Sequence, residues 1–149
     1  MVDLALIDGD LAIINGDLAV DDGIATAIVL SLFSDRRASP AELMAFARGS
    51  IVSDDPRGWP LETVAGETPR RFGSRIWLLT RDKQTDETRR AVIDAAAEAL
   101  AWLKSERLVK AVAVDGVWRR PELLELTVTV TRTDGVTQSY FYSAGGKNV

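Results

Sequence analysis

The sequence predicts an α+β fold in a single domain: a short N-terminal β-meander, central helices and a C-terminal antiparallel sheet. Three observations carry this. The first twenty residues repeat every seven with Asp-Gly and Asn-Gly between the copies, residues 22–105 show helical periodicity with capping signals, and residues 108–142 alternate as strands do. At 149 residues the chain suits one domain with a genuine core.

The repeat units are Asp3-Leu4-Ala5, Asp10-Leu11-Ala12 and Asp17-Leu18-Ala19, separated by Asp8-Gly9 and Asn15-Gly16, which supply the positive φ of two-residue hairpin turns. Short strands are expected near 3–7, 10–14 and 17–20. A calcium site built from Asp8, Asp10, Asn15 and Asp17 is the alternative, although nothing matches an EF-hand loop. Asp21 and Asp22 offer N-caps to a helix starting at Ile24. Ile24, Ile28 and Leu32 form one stripe, and Ala27, Val29, Leu30 and Phe33 fill most of the rest, so the helix belongs in a core. It is far short of the roughly 20 residues needed to span a bilayer, which sets a membrane aside.

Ser39-Pro40-Ala41-Glu42 is a capping box with proline at the first helical position, starting a helix to about Arg48 that Gly49 ends. Residues 50–72 hold Pro56, Gly58, Pro60, Gly66 and Pro69 without periodicity, and connections this long are usually functional or mobile. Trp59 within it is a candidate docking residue. Ser74 caps a short apolar piece, Ile76 to Leu79. Thr85 caps the longest helix, 86–104, whose stripe of Val92, Ala96, Ala99 and Leu103, with Ile93 and Leu100 beside it, is expected to pack on the first helix. Strands are expected at 108–114, 123–133 and 136–142, followed by a loose tail at 143–149. If Asp134-Gly135 is a two-residue turn, Val128 faces Phe141, Thr129 faces Tyr140 and Thr127 faces Tyr142. One face is then Leu126, Val128, Val130 and Phe141, covering the helices, and the other carries Thr127, Thr129, Tyr140 and Tyr142.

The chemistry available is narrow. There is no cysteine, hence no disulfide, thiolate zinc site or cysteine nucleophile, and no histidine, hence no Ser-His arrangement. A net charge of −4 argues against a nucleic-acid partner, as does the lack of aromatics among Arg36, Arg37, Arg70, Arg71 and Arg75. The N-terminus shows no signal peptide, which points to assembly in a cytoplasm. Asp94 and Glu98 stand at i, i+4, but Arg90 one turn earlier makes them a solvated ion-pair face. Gly145-Gly146-Lys147 lacks the remainder of a phosphate loop. Two interaction candidates survive: the threonine and tyrosine face, and a free sheet edge at 136–142 or 108–114 that invites an added strand.

With these residues in place, the chain resembles the Mu-like phage baseplate proteins, related to the baseplate wedge and sheath-initiating proteins of contractile tails and to a baseplate subunit of type VI secretion. The resemblance spans nearly the whole chain and rests on DLAVDDGIATAIVLSLFSDRRASP, Gly58-Trp59, RFGSRIWLLTRDKQTDET, and EALAWLKSERLVKAVAV followed by the hairpin. It implies a structural, non-catalytic protein of the virion tail baseplate, assembled in the host cytoplasm. Its implied partners are wedge proteins and the tail sheath, with no cofactor and no small-molecule substrate. A Glu-Pro-Arg motif after the long helix contacts wedge proteins in the broader family; the matching Ser105-Glu106-Arg107 lacks the proline, so Glu106 and Arg107 carry over without the backbone shape. Asp35 and Arg36 stand where relatives have Gly-Glu-Arg. Two rival readings are a glycan-cleaving, lysozyme-like hydrolase using two of Asp35, Glu42, Asp94 and Glu98, and a self-associating adaptor outside any phage.

Overall fold

The computed structural model describes residues 3–4, 6–7, 10–11, 13–14, 17–18, 20–21, 23–47, 58, 72–79, 84–121 and 123–144. At the N-terminus lie six two-residue strands: β1 (Asp3–Leu4), β2 (Leu6–Ile7), β3 (Asp10–Leu11), β4 (Ile13–Ile14), β5 (Asp17–Leu18) and β6 (Val20–Asp21). The sevenfold period becomes three equivalent ladders, with Ile7 opposite Asp10, Ile14 opposite Asp17 and Asp21 opposite Asp3. Each expected strand divides between two neighbours, and the pairing of β1 with β6 closes the meander on itself. Asp8 and Asn15 of the calcium alternative lie outside the described residues.

Four helices follow: α1 (Ile24–Phe33), α2 (Pro40–Ala47), α3 (Ile76–Leu79) and α4 (Asp86–Ser105). The start of α1 differs from expectation. Its N-cap is Gly23 at φ 78, without a side-chain cap, and Asp21 is taken up in β6. A chain passing from a ladder into a helix within two residues needs a left-handed junction, and glycine adopts one without steric cost. Nor is α1 enclosed all round: Ile28, Ser31 and Leu32 are buried, but Leu30 and Phe33 are about half exposed. The indole of Trp102 on α4 donates to the buried Ser31 hydroxyl at 2.9 Å, fixing α1 against α4.

The other caps follow the sequence. Ser39 N–H donates to Glu42 Oε2 at 2.7 Å and Glu42 N–H to Ser39 Oγ at 3.3 Å, the reciprocal capping box, while Thr88 N–H donates to Thr85 Oγ1 at 3.1 Å. Ser74 caps less than expected: its hydroxyl donates to Leu32 C=O at 2.6 Å and accepts a long bond, 3.4 Å, from Ile76 N–H.

The C-terminal sheet has the order β7-β8-β9, with β7 (Ala111–Arg120), β8 (Leu123–Thr131) and β9 (Thr137–Ala144) all antiparallel. The expected strand at 108–114 is displaced, since β7 begins at Ala111 and runs through Asp115-Gly116 to Arg120. Gly116 passes so close to α4 that a Cβ there would lie 3.3 Å from Ile93, and 3.2 Å from Leu126 on β8. β9 runs on to Ala144, which is buried, so residues 143 and 144 of the expected loose tail belong to the strand, and 145–149 lie outside the described residues.

The hairpin register also differs, by one residue. Gly135 N–H donates to Arg132 C=O at 3.0 Å and Arg132 N–H to Val136 C=O at 2.8 Å, with Gly135 at φ +89. This is a three-residue loop ending on a left-handed glycine, not a two-residue turn. Thr127 therefore faces Phe141, Val128 faces Tyr140 and Leu126 faces Tyr142. A one-residue slip exchanges the faces of β9. Leu124, Leu126, Val128 and Val130 remain inward and are buried with Ile28, Leu32, Val92, Ala96, Leu100 and Leu103 in one core, but Tyr140 and Tyr142 join that side and Phe141 points out.

Between α1 and α3 the chain is strapped together by a parallel bridge of Asp35 with Ser74. Gly73 enters it at φ +99, and a Cβ there would lie 2.5 Å from Ser34 O. Gly73→Ala is expected to cost at least about 2 kcal/mol, from left-handed strain plus overlap with backbone, measured as a lower urea midpoint.

Candidate functional site

The end of α4 is built by six residues in sequence. Arg107 N–H donates to Lys104 C=O at 3.0 Å and Leu108 N–H to Leu103 C=O at 2.9 Å, the paired bonds of a Schellman motif with Glu106 as C-cap. The motif needs a left-handed residue at position 107, where glycine is usual. Here Arg107 holds φ 59, the one non-glycine with positive φ among the described residues. Its side chain is exposed, flanked by exposed Lys104, Glu106 and Lys110 and by Leu108 at 47 % exposure. Glu106 and Arg107 thus share one protruding turn. Left-handed strain in an L-residue costs about 1–2 kcal/mol, so Arg107→Gly is expected to stabilise the fold by about 1 kcal/mol, seen as a higher thermal midpoint.

Asp35 and Arg36 occupy the strap. Arg36 N–H donates to Ser74 C=O at 3.0 Å, Ser74 N–H to Ser34 C=O at 2.9 Å, and the Trp77 indole to Arg36 C=O at 3.0 Å. The Arg36 guanidinium, 16 % exposed, reaches Glu98 Oε1, and Arg75 joins the same carboxylate through Nε at 2.9 Å and Glu42 through Nη1 at 3.3 Å. The expected Arg90, Asp94 and Glu98 face is therefore regrouped: Arg90 pairs with Asp86 at 2.8 Å, and Glu98 serves the strap. Burial opposes ionisation of Glu98, but Arg36 and then Arg75 outweigh it and hold its carboxyl below the ordinary value. Glu42 is lowered first by the Ser39 backbone N–H, against burial, with the Ser39 hydroxyl and Arg75 adding to it.

A carboxyl lowered in the folded state stabilises the fold fully above its unfolded pKa and loses that contribution as pH falls through the folded value. Glu98→Gln is accordingly expected to lower stability at pH 7 by up to about 1 kcal/mol, the side chain being substantially exposed. The gap from the parent protein should narrow as pH drops below 4.5 and close in stronger acid, as read by thermal unfolding at each pH.

Gly58, at φ +96, packs against this arginine-rich strap so closely that a Cβ would lie 2.6 Å from Arg37 Cβ. The neighbouring Trp59, like Arg70 and Arg71, lies outside the described residues.

The expected threonine and tyrosine face divides between the two sides of the sheet. Thr127 and Thr129 stay outward, beside Ser139, whose hydroxyl is 3.3 Å from that of Thr129, and beside Phe141, 67 % exposed. Tyr140 and Tyr142 turn inward at the sheet margin. The Tyr142 ring meets Phe33 edge-on at 5.8 Å, and burial, with a smaller contribution from Tyr140, raises its pKa to about 12. Phe33, Leu30 and Phe141 are the residues that sequence reasoning did not place at this surface. Gly135 carried the signal for Phe141, because a left-handed glycine also fits a three-residue loop.

The two sheet edges are unequal. At the centre of β7 the Gly116 N–H donates to Asp115 Oδ1 at 2.7 Å and the Gly116 carbonyl accepts from Arg89 at 3.1 Å, so both backbone groups are met by side chains. β9 carries no charge along its eight residues, TQSYFYSA, and among the described residues borders a strand on one side only. Among the described residues, no group of three acidic, histidine or cysteine side chains could hold a metal ion, and no helix is long and apolar enough to cross a membrane.

The family model for "Phage protein GP46" matches residues 24–137. The "Baseplate protein gp46" of Escherichia phage Mu is 35% identical over 153 residues, covering 100% of both chains. The "Mu-like prophage FluMu protein gp46" of Haemophilus influenzae is 30% identical over 148 residues, covering 97% of each. No solved structure matches.

Proposed function

The chain belongs to the family of phage protein GP46, and we propose that it is a structural subunit of a phage tail baseplate, assembled in the host cytoplasm, that docks on wedge proteins and offers β9 for sheath attachment. The observation that carries the baseplate role is full-length similarity to a phage Mu baseplate protein. Two features of the structure support the finer reading. β9 is an uncharged edge to which a sheath strand adds by backbone hydrogen bonds, with Thr127, Thr129 and Phe141 on one side and Tyr140 and Tyr142 on the other setting the register. At the end of α4, Arg107 is kept in a conformation that glycine would fill better, and strain retained at an exposed side chain supports a role outside folding. Wedge contact falls to Glu106 and Arg107, with Asp35 and Arg36 on a second wedge-facing side and Trp59 a further candidate from the sequence.

The hydrolase reading asks for a carboxyl with a raised pKa. Glu42 and Glu98 both bind Arg75, and both are lowered. That is the electrostatics of a structural ion cluster.

The test is binding of the purified protein to the sheath and wedge proteins encoded beside it. Arg107→Gly is expected to weaken wedge binding more than tenfold while leaving sheath binding intact and raising stability. Phe141→Lys is expected to weaken sheath binding by a similar factor without touching wedge binding, and it spares Tyr142 and Ala144, which deleting β9 would strip from the core. A folded parent protein that bound neither partner would sink the proposal.

A further inference from the structure

We propose that, before assembly, two copies of this chain cover each other's open edge by pairing β9 with β9 in an antiparallel, two-fold arrangement. This rests on the reading of β9 as the docking edge and concerns the free protein. An uncharged edge strand left open is a site of uncontrolled association, which natural sheets avoid by charge, proline or covering. β9 has neither charge nor proline, although 27% of the chain is charged. A second copy meets no like-charge repulsion there.

The register follows from the faces. In an antiparallel pair, residues directly opposite share a face, so outward residues must meet outward ones. Centring the axis on Phe141 sets Phe141 against its counterpart on the outer face. It also sets Tyr140 against the partner's Tyr142 on the inner face, twice, and Ser139 against the partner's Ser143. Aromatic cross-strand pairs are among the stabilising ones in sheets. The axis then runs perpendicular to the sheet and keeps both helical layers on one side. Phe33 of each α1, the half-exposed ring against Tyr142, is brought toward its counterpart in the other copy, with Leu30 one turn before it on the same helix.

The exposed parts of Leu30, Phe33, Tyr140, Phe141 and Tyr142 offer on the order of 800 Å² across two copies. The strand backbones carry the total to the roughly 1,000 Å² that a specific interface needs. On the opposite edge Asp115 and Arg89 occupy the backbone groups of Gly116, so strand addition there would leave its central hydrogen bonds unmade and is disfavoured beside pairing at β9. The result is a closed dimer with a continuous six-stranded sheet, which a sheath strand must displace.

The chain has no cysteine, so single cysteines report contacts without background. Directly opposite residues have Cα atoms within disulfide reach, whereas Ser139 and its own counterpart are four positions apart along the ladder. Under mild oxidation Phe141→Cys is expected to give a covalent dimer and Ser139→Cys alone to stay monomeric. A mixture of Ser139→Cys and Ser143→Cys should crosslink. The parent protein is expected to sediment as a dimer and Phe141→Lys as a monomer of unchanged fold by circular dichroism. A parent protein that stays monomeric at about 1 mM, or Ser139→Cys crosslinking as readily as Phe141→Cys, overturns the inference. A monomer that still binds sheath protein leaves the baseplate proposal standing and sinks only the dimer; a dimer that binds no sheath protein does the reverse.

Discussion

Leu124, Leu126, Val128 and Val130 stand in one row on β8 under α1 and α4. Slipping this strand by one residue would replace four buried apolar side chains with threonines and a glutamate. Fully burying each such side chain is worth about 1.5–3 kcal/mol, so the slip forfeits on the order of 6 kcal/mol or more, comparable to the whole stability of a domain. β8 therefore has one position, and its neighbours take theirs from it. β7 follows through a ladder nine pairs long, and β9 through a loop whose length decides which of its residues face the core.

Legibility in the sequence tracked how local each determinant was. The capping box at Ser39 and Glu42, the Thr85 cap and the apolar stripe of α4 all act within one or two turns of chain and appear in the structure as the sequence predicts, whereas the seven-residue repeat keeps its period but divides each expected strand in two. The loop at Asp134-Gly135 was ambiguous because the same dipeptide serves a two-residue turn and a three-residue loop, and one residue of difference moved Phe141 out and Tyr140 and Tyr142 in. The expected strand at 108–114 stops before Asp115-Gly116, whereas β7 runs through it and the glycine lets Ile93 of α4 approach. The sequence groups Glu98 with Arg90 and Asp94 on its own helix, but its cations are Arg36 and Arg75, 62 and 23 positions away.

The strap at residues 34–36 and 73–75 turns four helices of modest length into one support for the sheet. Its backbone bridge sets the exit of α1 beside the entry of α3, the Trp77 indole closes over it, and Arg75 ties α2 to α4 through Glu42 and Glu98. Each ion pair is partly solvated and individually weak. Their value lies in geometry: the guanidinium of Arg75, at the entry of α3, meets carboxylates of α2 and α4, so α2 and α3, which are too short to hold themselves, are positioned by α4.

Among the described residues, two exposed places depart from local rules of folding on elements that bear on docking: the left-handed Arg107 and the uncharged β9 with Phe141 turned outward. Neither departure repairs anything within the described core. A glycine at 107 would relieve strain, and a lysine on β9 would blunt an edge at no cost in burial. On the other edge Asp115 and Arg89 take up the backbone groups of Gly116, at the centre of β7. Sites where sequence and fold disagree are where function is to be sought. The two departures lie on different elements, one at a helix end and one along a strand edge, and differ in chemistry, one cationic and strained, the other neutral and aromatic. That difference in place and chemistry is the ground on which the proposed wedge and sheath contacts are assigned to separate surfaces.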